Sequence, residues 1–345
     1  MAIRQEQVDL DFAPTIVHSP IPAHILYNQA CSNDQTTIHS WRATWIENIK
    51  QNHKNHGPFK DKGLQQIFGM LKYKPCIVVG SGPSLKYNAH KLKNRGGIGM
   101  VSCLHNFHYL EDLECPADFY VTLDAGPVTI EEVYEGGKNS PDHYWELTKD
   151  RTLLAYIGTH PDLLNKWRGK ILFYNCAIPD ADFQNAISGV EMFSTYVSNG
   201  GNVLGAAFYI SKVFMGANPI VFVGADFSFG YAKSDKTGNN KFHAWDSKYD
   251  KDMGICLSAT DVFGNRVKTW QSYANFCAWY TARCQQVPGI YINATEGGIL
   301  GAFPDGNIHQ IKQMTLDQVF EMYDMCEVFK PMAFEPEVQR VQLAF

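Results

Sequence analysis

From residue 76 onward the apolar positions fall into short unbroken runs separated by polar or glycine-rich breaks. Cys76-Ile77-Val78-Val79 is the first. Four apolar, mostly β-branched residues without polar alternation suit a strand buried on both faces, as in a parallel sheet. The run breaks at Gly80-Ser81-Gly82-Pro83-Ser84 into a helix-compatible stretch over 84–94. Similar runs predict strands over 97–102, 118–123, 153–157, 170–174, 219–224 and 289–292, with helices over 202–215, 270–285 and 315–328. Upstream, Trp41, Trp45, Ile46 and Ile49 recur at helical spacing within 37–51, and a second short helix is predicted over 61–71. The alternation predicts an α/β fold: a Rossmann-like, doubly wound, mostly parallel sheet over 74–328 with an accessory helical N-terminal segment, 1–73. A stretch over about 228–260, rich in Gly, Lys, Asp and aromatics, is too long for a simple connection and reads as a lid insertion. Residues 329–345 read as a tail.

Composition narrows the function classes. With 345 residues, 45% of them hydrophobic, the chain can bury a large core. A net charge of −5 argues against a nucleic-acid partner, and the lysines at 233, 236, 241, 248 and 251 alternate with acids as a solvated loop would. Nine cysteines without C-x-x-C spacing fit reduced thiols and a cytoplasmic location. No secretory pattern opens the chain and no run approaches transmembrane length, so no membrane span is expected. H-E-x-x-H is also missing, and no protein-held transition metal is expected. An oligomer is compatible with this composition.

The breaks after the strands hold the candidate chemistry. Gly80 and Gly82 allow a ligand close to the backbone, Pro83 suits a first helical turn and Ser84 can cap it, a combination that favours an anion. It is not the dinucleotide fingerprint, because Leu85 stands where a third glycine belongs, and no Gly-Lys-Ser/Thr follows as in a Walker A loop. A plain tight turn is the alternative. Ser198-Asn199-Gly200-Gly201-Asn202 precedes an apolar helix and reads as a second anion or ribose site, or as an ordinary N-cap. Asp124 and Asp226 each end a strand, where an acid can bind ribose, hold Mg²⁺ beside phosphates or accept a proton, or can simply cap a turn. Asn106 follows the 97–102 strand beside His105 and His108 and suits a base or sugar contact. Glu296-Gly297 follows the 289–292 strand as a candidate substrate contact, or as part of a G-G turn.

Taken in order, G-S-G-P-S, S-C-L-H-N-F, V-T-L-D, S-N-G-G-N, V-G-A-D-F-S and N-A-T-E-G-G resemble the MptE-like family over roughly 74–300. That family includes the motility accessory factor (Maf) proteins of flagellin glycosylation and is similar to bacterial sialyltransferases with a GT-A-like Rossmann fold. The resemblance implies a nucleotide-dependent glycosyltransferase moving a nonulosonate or sialic-acid-like sugar from a CMP-sugar donor. It implies donor contacts at Gly80, Ser81, Gly82, Pro83, Ser84, Asn106, Ser198, Asn199 and Gly200, with Tyr231 or Tyr249 of the lid supporting the phosphate. Ser81 departs from the asparagine usual there. Residues 264–270 lack the histidine base of those relatives, which leaves Asp226 or Asp124 as the acid–base candidate. The archaeal branch implies instead an Mg²⁺-ATP-dependent 6-hydroxymethyl-dihydropterin pyrophosphokinase using Asp124, Asp226 and Lys268. A non-catalytic protein retaining the fold is a third reading. The acceptor, a glycan or a protein, stays open.

Overall fold

The computed structural model describes residues 23–176, 178, 180–190, 196–229, 256–302 and 311–323. Its centre is a nine-stranded, wholly parallel sheet built from β1 (Cys76–Val79), β2 (Gly99–Cys103), β3 (Phe119–Thr122), β4 (Thr152–Tyr156), β5 (Lys170–Cys176), β6 (Tyr196–Val197), β7 (Ile220–Val223), β10 (Tyr291–Asn293) and β11 (Ile311–Gln313). Between β7 and β10 the chain forms a separate antiparallel hairpin, β8 (Cys256–Thr260) with β9 (Arg266–Trp270). The α-helices are α1 (Ala23–His56), α2 (Leu85–Asn88), α3 (Phe107–Asp112), α4 (Pro141–Leu147), α5 (Pro161–Lys166), α6 (Ala181–Ala186), α7 (Val203–Tyr209), α8 (Gln271–Gln286) and α9 (Leu316–Tyr323).

Strand order places the ligand edge. Across the sheet it runs β11-β10-β7-β1-β2-β3-β4-β5-β6. From β1 the chain winds outward through β2 to β6, returns to β7 on the other flank of β1, and continues outward to β10 and β11. Loops leaving β1 and β7 therefore diverge, and a crevice opens at this switch point beyond the carboxyl ends of the strands. Every residue of β1, β2, β3 and β7 is buried, which is why these runs carry no polar alternation.

The helical stretch expected over 84–94 is broken into the four-residue α2 and a 3₁₀ turn, Ala89–Asn94. That expected over 61–71 is a pair of 3₁₀ turns, Phe59–Lys62 and Leu64–Ile67, and Gly63 between them bridges to Phe173 of β5. Helix α1 is far longer than its 37–51 periodicity suggested and packs against α5, α6 and α8, with Ile49 in the common core. Cys76, Cys103, Cys115, Cys277 and Cys284 are buried thiols, and burial pushes the Cys76 thiol up to about 12. Among the described residues no helix is long and apolar enough to cross a membrane.

Candidate active site at the switch point

The two loops at the switch point touch through their backbones. A Cβ on Gly80 would lie 2.5 Å from the Gly224 carbonyl oxygen, and one on Gly224 the same distance from that of Gly80. Only paired glycines let the loops pass, and Gly224 also takes a φ of +64°. The contact is held by Gly80 N–H donating to Val223 O and Gly82 N–H donating to Gly224 O, both at 2.8 Å.

Asp226 closes this junction. Its carboxylate accepts the Ser84 N–H at 3.1 Å and bonds the Ser84 hydroxyl at 2.8 Å. The side chain sits so tightly over Gly82 that a Cβ there would fall 1.9 Å from Oδ2. Ser84 therefore does not cap α2 with its own oxygen. An internal carboxylate takes the place at the helix start where the sequence led us to expect an external anion. At 4% exposure Asp226 is poorly solvated, and this burial pushes its carboxyl up to about 7 against the pull of the Ser84 hydrogen bonds.

A cavity of about 250 Å³ opens over the junction. Ser81, Gly82, Pro83 and Asp226 form one side, and Asn202, Val203 and Leu204 at the start of α7 form another. Phe227, Tyr273 and Phe276 supply an aromatic wall, and His105, Asp124 and Glu132 an ionisable one. Asp124 lies on the cavity wall with its side chain accessible to solvent. Desolvation, with the Glu132 charge beside it, pushes that carboxyl up to about 7, and His105 opposes the shift. His105 Nδ1 lies 3.8 Å from Glu132 Oε1. Among the described residues no group of three or more His, Cys, Asp or Glu side chains is arranged to hold a metal ion.

Several residues singled out from the sequence take supporting positions. Asn106 is fully buried beneath the first turn, donating to Gly80 O at 3.0 Å and to Ser102 Oγ at 3.1 Å. In the second turn, Asn202 caps α7 by accepting Gly205 N–H at 2.8 Å and also accepts the Tyr280 hydroxyl at 3.1 Å. Asn199 turns back on Gly201 N–H, Gly200 packs on the Trp279 indole, and Ser198 accepts from Arg283. Of this motif only Asn202 reaches the cavity wall. Glu296 faces away, accepting Leu316 N–H and pairing with Lys91, and so ties α9 to the body. Gly297 lies against Ser84 and Asp226. Tyr231 and Tyr249 fall outside the described residues.

Sequence reasoning missed Glu132, Asn48 and Asn52. Glu132 sits in a 3₁₀ turn, Pro127–Val133, with no motif around it. The asparagines lie on the inner face of α1: Asn48 donates to the Ala125 and Gly158 carbonyls, and Asn52 to those of Ile157 and Thr159. Their signal was faint but real, since Trp41, Trp45, Asn48 and Asn52 form one helical stripe.

The fold is similar to that of the MAf glycosyltransferase from Magnetospirillum magneticum AMB-1, with a TM-score of 0.51 at 13% identity over 78% of this chain. The matched part is 38% of that protein, so this chain spans well under half its length. No curated protein matches the chain. A family model described as 6-hydroxymethylpterin diphosphokinase MptE-like matches residues 43–232, more than half of the sequence and the part that carries β1 to β7 and both glycine turns. The chain belongs to the MptE-like family.

Proposed function

We propose that the protein is a glycosyltransferase that takes its sugar from a nucleotide-activated donor, with a CMP-sugar favoured. The observation that carries this reading is the placement of Asp124, beside Glu132 and His105, on the wall of the cavity at the switch point, where its carboxyl is raised above the ordinary aspartate value. A general base works best when its pKa lies near the working pH. Asp124 in its ionised form takes the proton from an acceptor hydroxyl. The acceptor oxygen forms the new bond to the sugar's anomeric carbon as the bond from that carbon to the donor phosphate breaks, and the electron pair leaves with the nucleotide. Phe227, Tyr273 and Phe276 offer faces for the base, and Asp226 positions Ser84 and the glycine turn. His105 is the one described residue of the lining that can carry positive charge toward the departing phosphate.

Charge decides among donors. The cavity presents Asp124, Glu132 and Asp226, and among its described lining no Lys or Arg. A CMP-nonulosonate brings about two charges, one on the phosphodiester and one on the sugar carboxylate, whereas ATP brings about four. The diphosphokinase named by the family description is the second reading, favoured by the same acidic pair. Asp124 and Glu132 would be the residues to hold Mg²⁺, which would neutralise the phosphates when bound. A cytoplasmic location and a small-molecule donor belong to either reading.

Calorimetric titration with CMP, UDP, GDP and ATP, each with and without Mg²⁺, tests the proposal. Binding of CMP without metal is expected. Binding of ATP alone, and only with Mg²⁺, would replace the transferase with the kinase, and silence to all four would overturn both.

A further inference from the structure

Three loops, residues 57–75, 210–219 and 285–290, enter β1, β7 and β10 at their amino ends, on the sheet edge opposite the cavity. These strands are neighbours in the sheet, and hydrogen bonds join their entry loops into one surface. Gly69 N–H donates to Phe214 O at 2.7 Å, Leu71 N–H to Met215 O at 2.9 Å and Tyr73 N–H to Gly216 O at 3.2 Å. Asn218 bridges onward, donating its N–H to Lys74 O at 2.9 Å and accepting the Ile290 N–H on Oδ1 at 2.8 Å. Two properties coincide here. Phe68, Tyr73, Val213 and Ile290 expose large apolar side chains, and Tyr73, at 79%, is the most exposed of its kind among the described residues. The charged residues of the same loops are Lys60, Lys62, Lys72, Lys74 and Lys212 against Asp61, five lysines to one aspartate, on a chain whose net charge is −5. Lys72 and Lys74 flank Tyr73 and are exposed, with Lys72 Nζ 5.3 Å from the centre of its ring.

Tyr73 also takes a φ of +63°. Its β-carbon makes that left-handed backbone costly, and glycine or asparagine would hold the turn at lower cost. An exposed ring recovers little of this through burial within the fold. We infer that this edge docks on an anionic lipid surface: Phe68, Tyr73, Val213 and Ile290 enter the boundary between headgroups and acyl chains, and the lysines around them meet the negative headgroups. Charge selects this occupant. A second copy packed through the same face would set two cationic surfaces against each other. The cores of protein–protein interfaces are poor in lysine, whereas at a bilayer the lysine stems lie along apolar surface and their ammonium groups stay in the hydrated headgroup layer. The chain then lies on the membrane without crossing it, and the cavity, at the carboxyl edge, opens away from the bilayer. No cavity residue takes part, so the inference stands apart from the transferase reading.

The test is flotation of the full chain with vesicles of phosphatidylcholine alone, and of phosphatidylcholine with about 30% phosphatidylserine, at low and at high salt. The parent is expected to float with the anionic vesicles at low salt only. Partition onto them falls about tenfold or more in the double variant Lys72→Gln, Lys74→Gln, and about fivefold in Tyr73→Asn. Asparagine accepts the left-handed backbone, so urea denaturation should find Tyr73→Asn at least as stable as the parent. Its weaker flotation then cannot come from unfolding. Absence of the parent from the anionic vesicles, equal flotation of parent and variants, or equal binding to neutral vesicles overturns the inference. Dimerisation in light scattering that these variants abolish, without flotation, would assign the edge to a second copy instead. Binding of polyglutamate without binding of vesicles would assign it to an acidic protein.

Discussion

Gly82 shows how narrowly single residues set this site. It was legible in the sequence as a place where something approaches the backbone, and the structure makes that partner an internal carboxylate. A methyl group there would meet Asp226 Oδ2 at 1.9 Å and the Gly224 carbonyl at 2.7 Å. The first could swing away only by abandoning Ser84, and the second is backbone. Gly82→Ala is therefore expected to cost about 1–3 kcal/mol of folding stability, as overpacking does, measured by urea denaturation. CMP binding should be lost along with it, because Ser81 and Pro83 move with the turn. Gly57, whose Cβ would meet nothing, is a useful contrast for space alone, since its φ of +75° still strains a side chain.

At the scale of elements, the carboxylate loops owe their positions to a helix outside the sheet. Asn52 bonds the carbonyls of Ile157 at 2.9 Å and Thr159 at 2.8 Å, and the next residue, His160, donates its N–H to the Asp124 carbonyl at 3.2 Å. Asn52→Ala strands two buried acceptors, a loss of about 2–4 kcal/mol in thermal or urea unfolding, and the slackened loop should raise the acceptor KM more than it lowers kcat. This dependence also marks what the sequence could and could not disclose. Strands β1 and β7 were legible because all their neighbours are apolar, so CIVV and IVFV have no competing explanation. The β8–β9 hairpin was not: Ser258, Lys268 and Thr269 are buried in it, so polar letters occupy inward positions and the alternation disappears. Strands β6 and β11 are two and three residues long, too short to leave a period. The glycine turns announced their flexibility but not their partners, since a contact such as Ser84 with Asp226 spans 142 positions and is set by strand order, not by local pattern.

Across the whole molecule, the two raised carboxyls set stability and activity in opposition. Asp226 ordinarily titrates near 3.8, and burial raises it to about 7, so between those pH values the native state holds a proton that the unfolded chain has released. Stability is then fully favoured below the lower value and falls as pH rises through the window. The shift of about three units corresponds to a loss on the order of 4 kcal/mol from Asp226 alone. Asp124 is displaced in the same direction and adds to the slope, whereas the base role proposed for it requires the ionised form. Transfer activity should therefore climb toward neutrality and level off above about 7, while the unfolding free energy declines over the same range. Asp226→Asn separates the two. Its amide can accept the Ser84 N–H and donate to the Ser84 hydroxyl without ever charging, so the variant should be more stable than the parent at pH 8 and converge with it toward pH 4, with the rising limb of activity retained. Urea titrations at a series of pH values, paired with initial rates, measure both curves. A stability difference that does not change with pH would show that Asp226 carries its proton no differently in the folded and unfolded chains. Loss of the rising limb in the variant would move the base from Asp124 to Asp226.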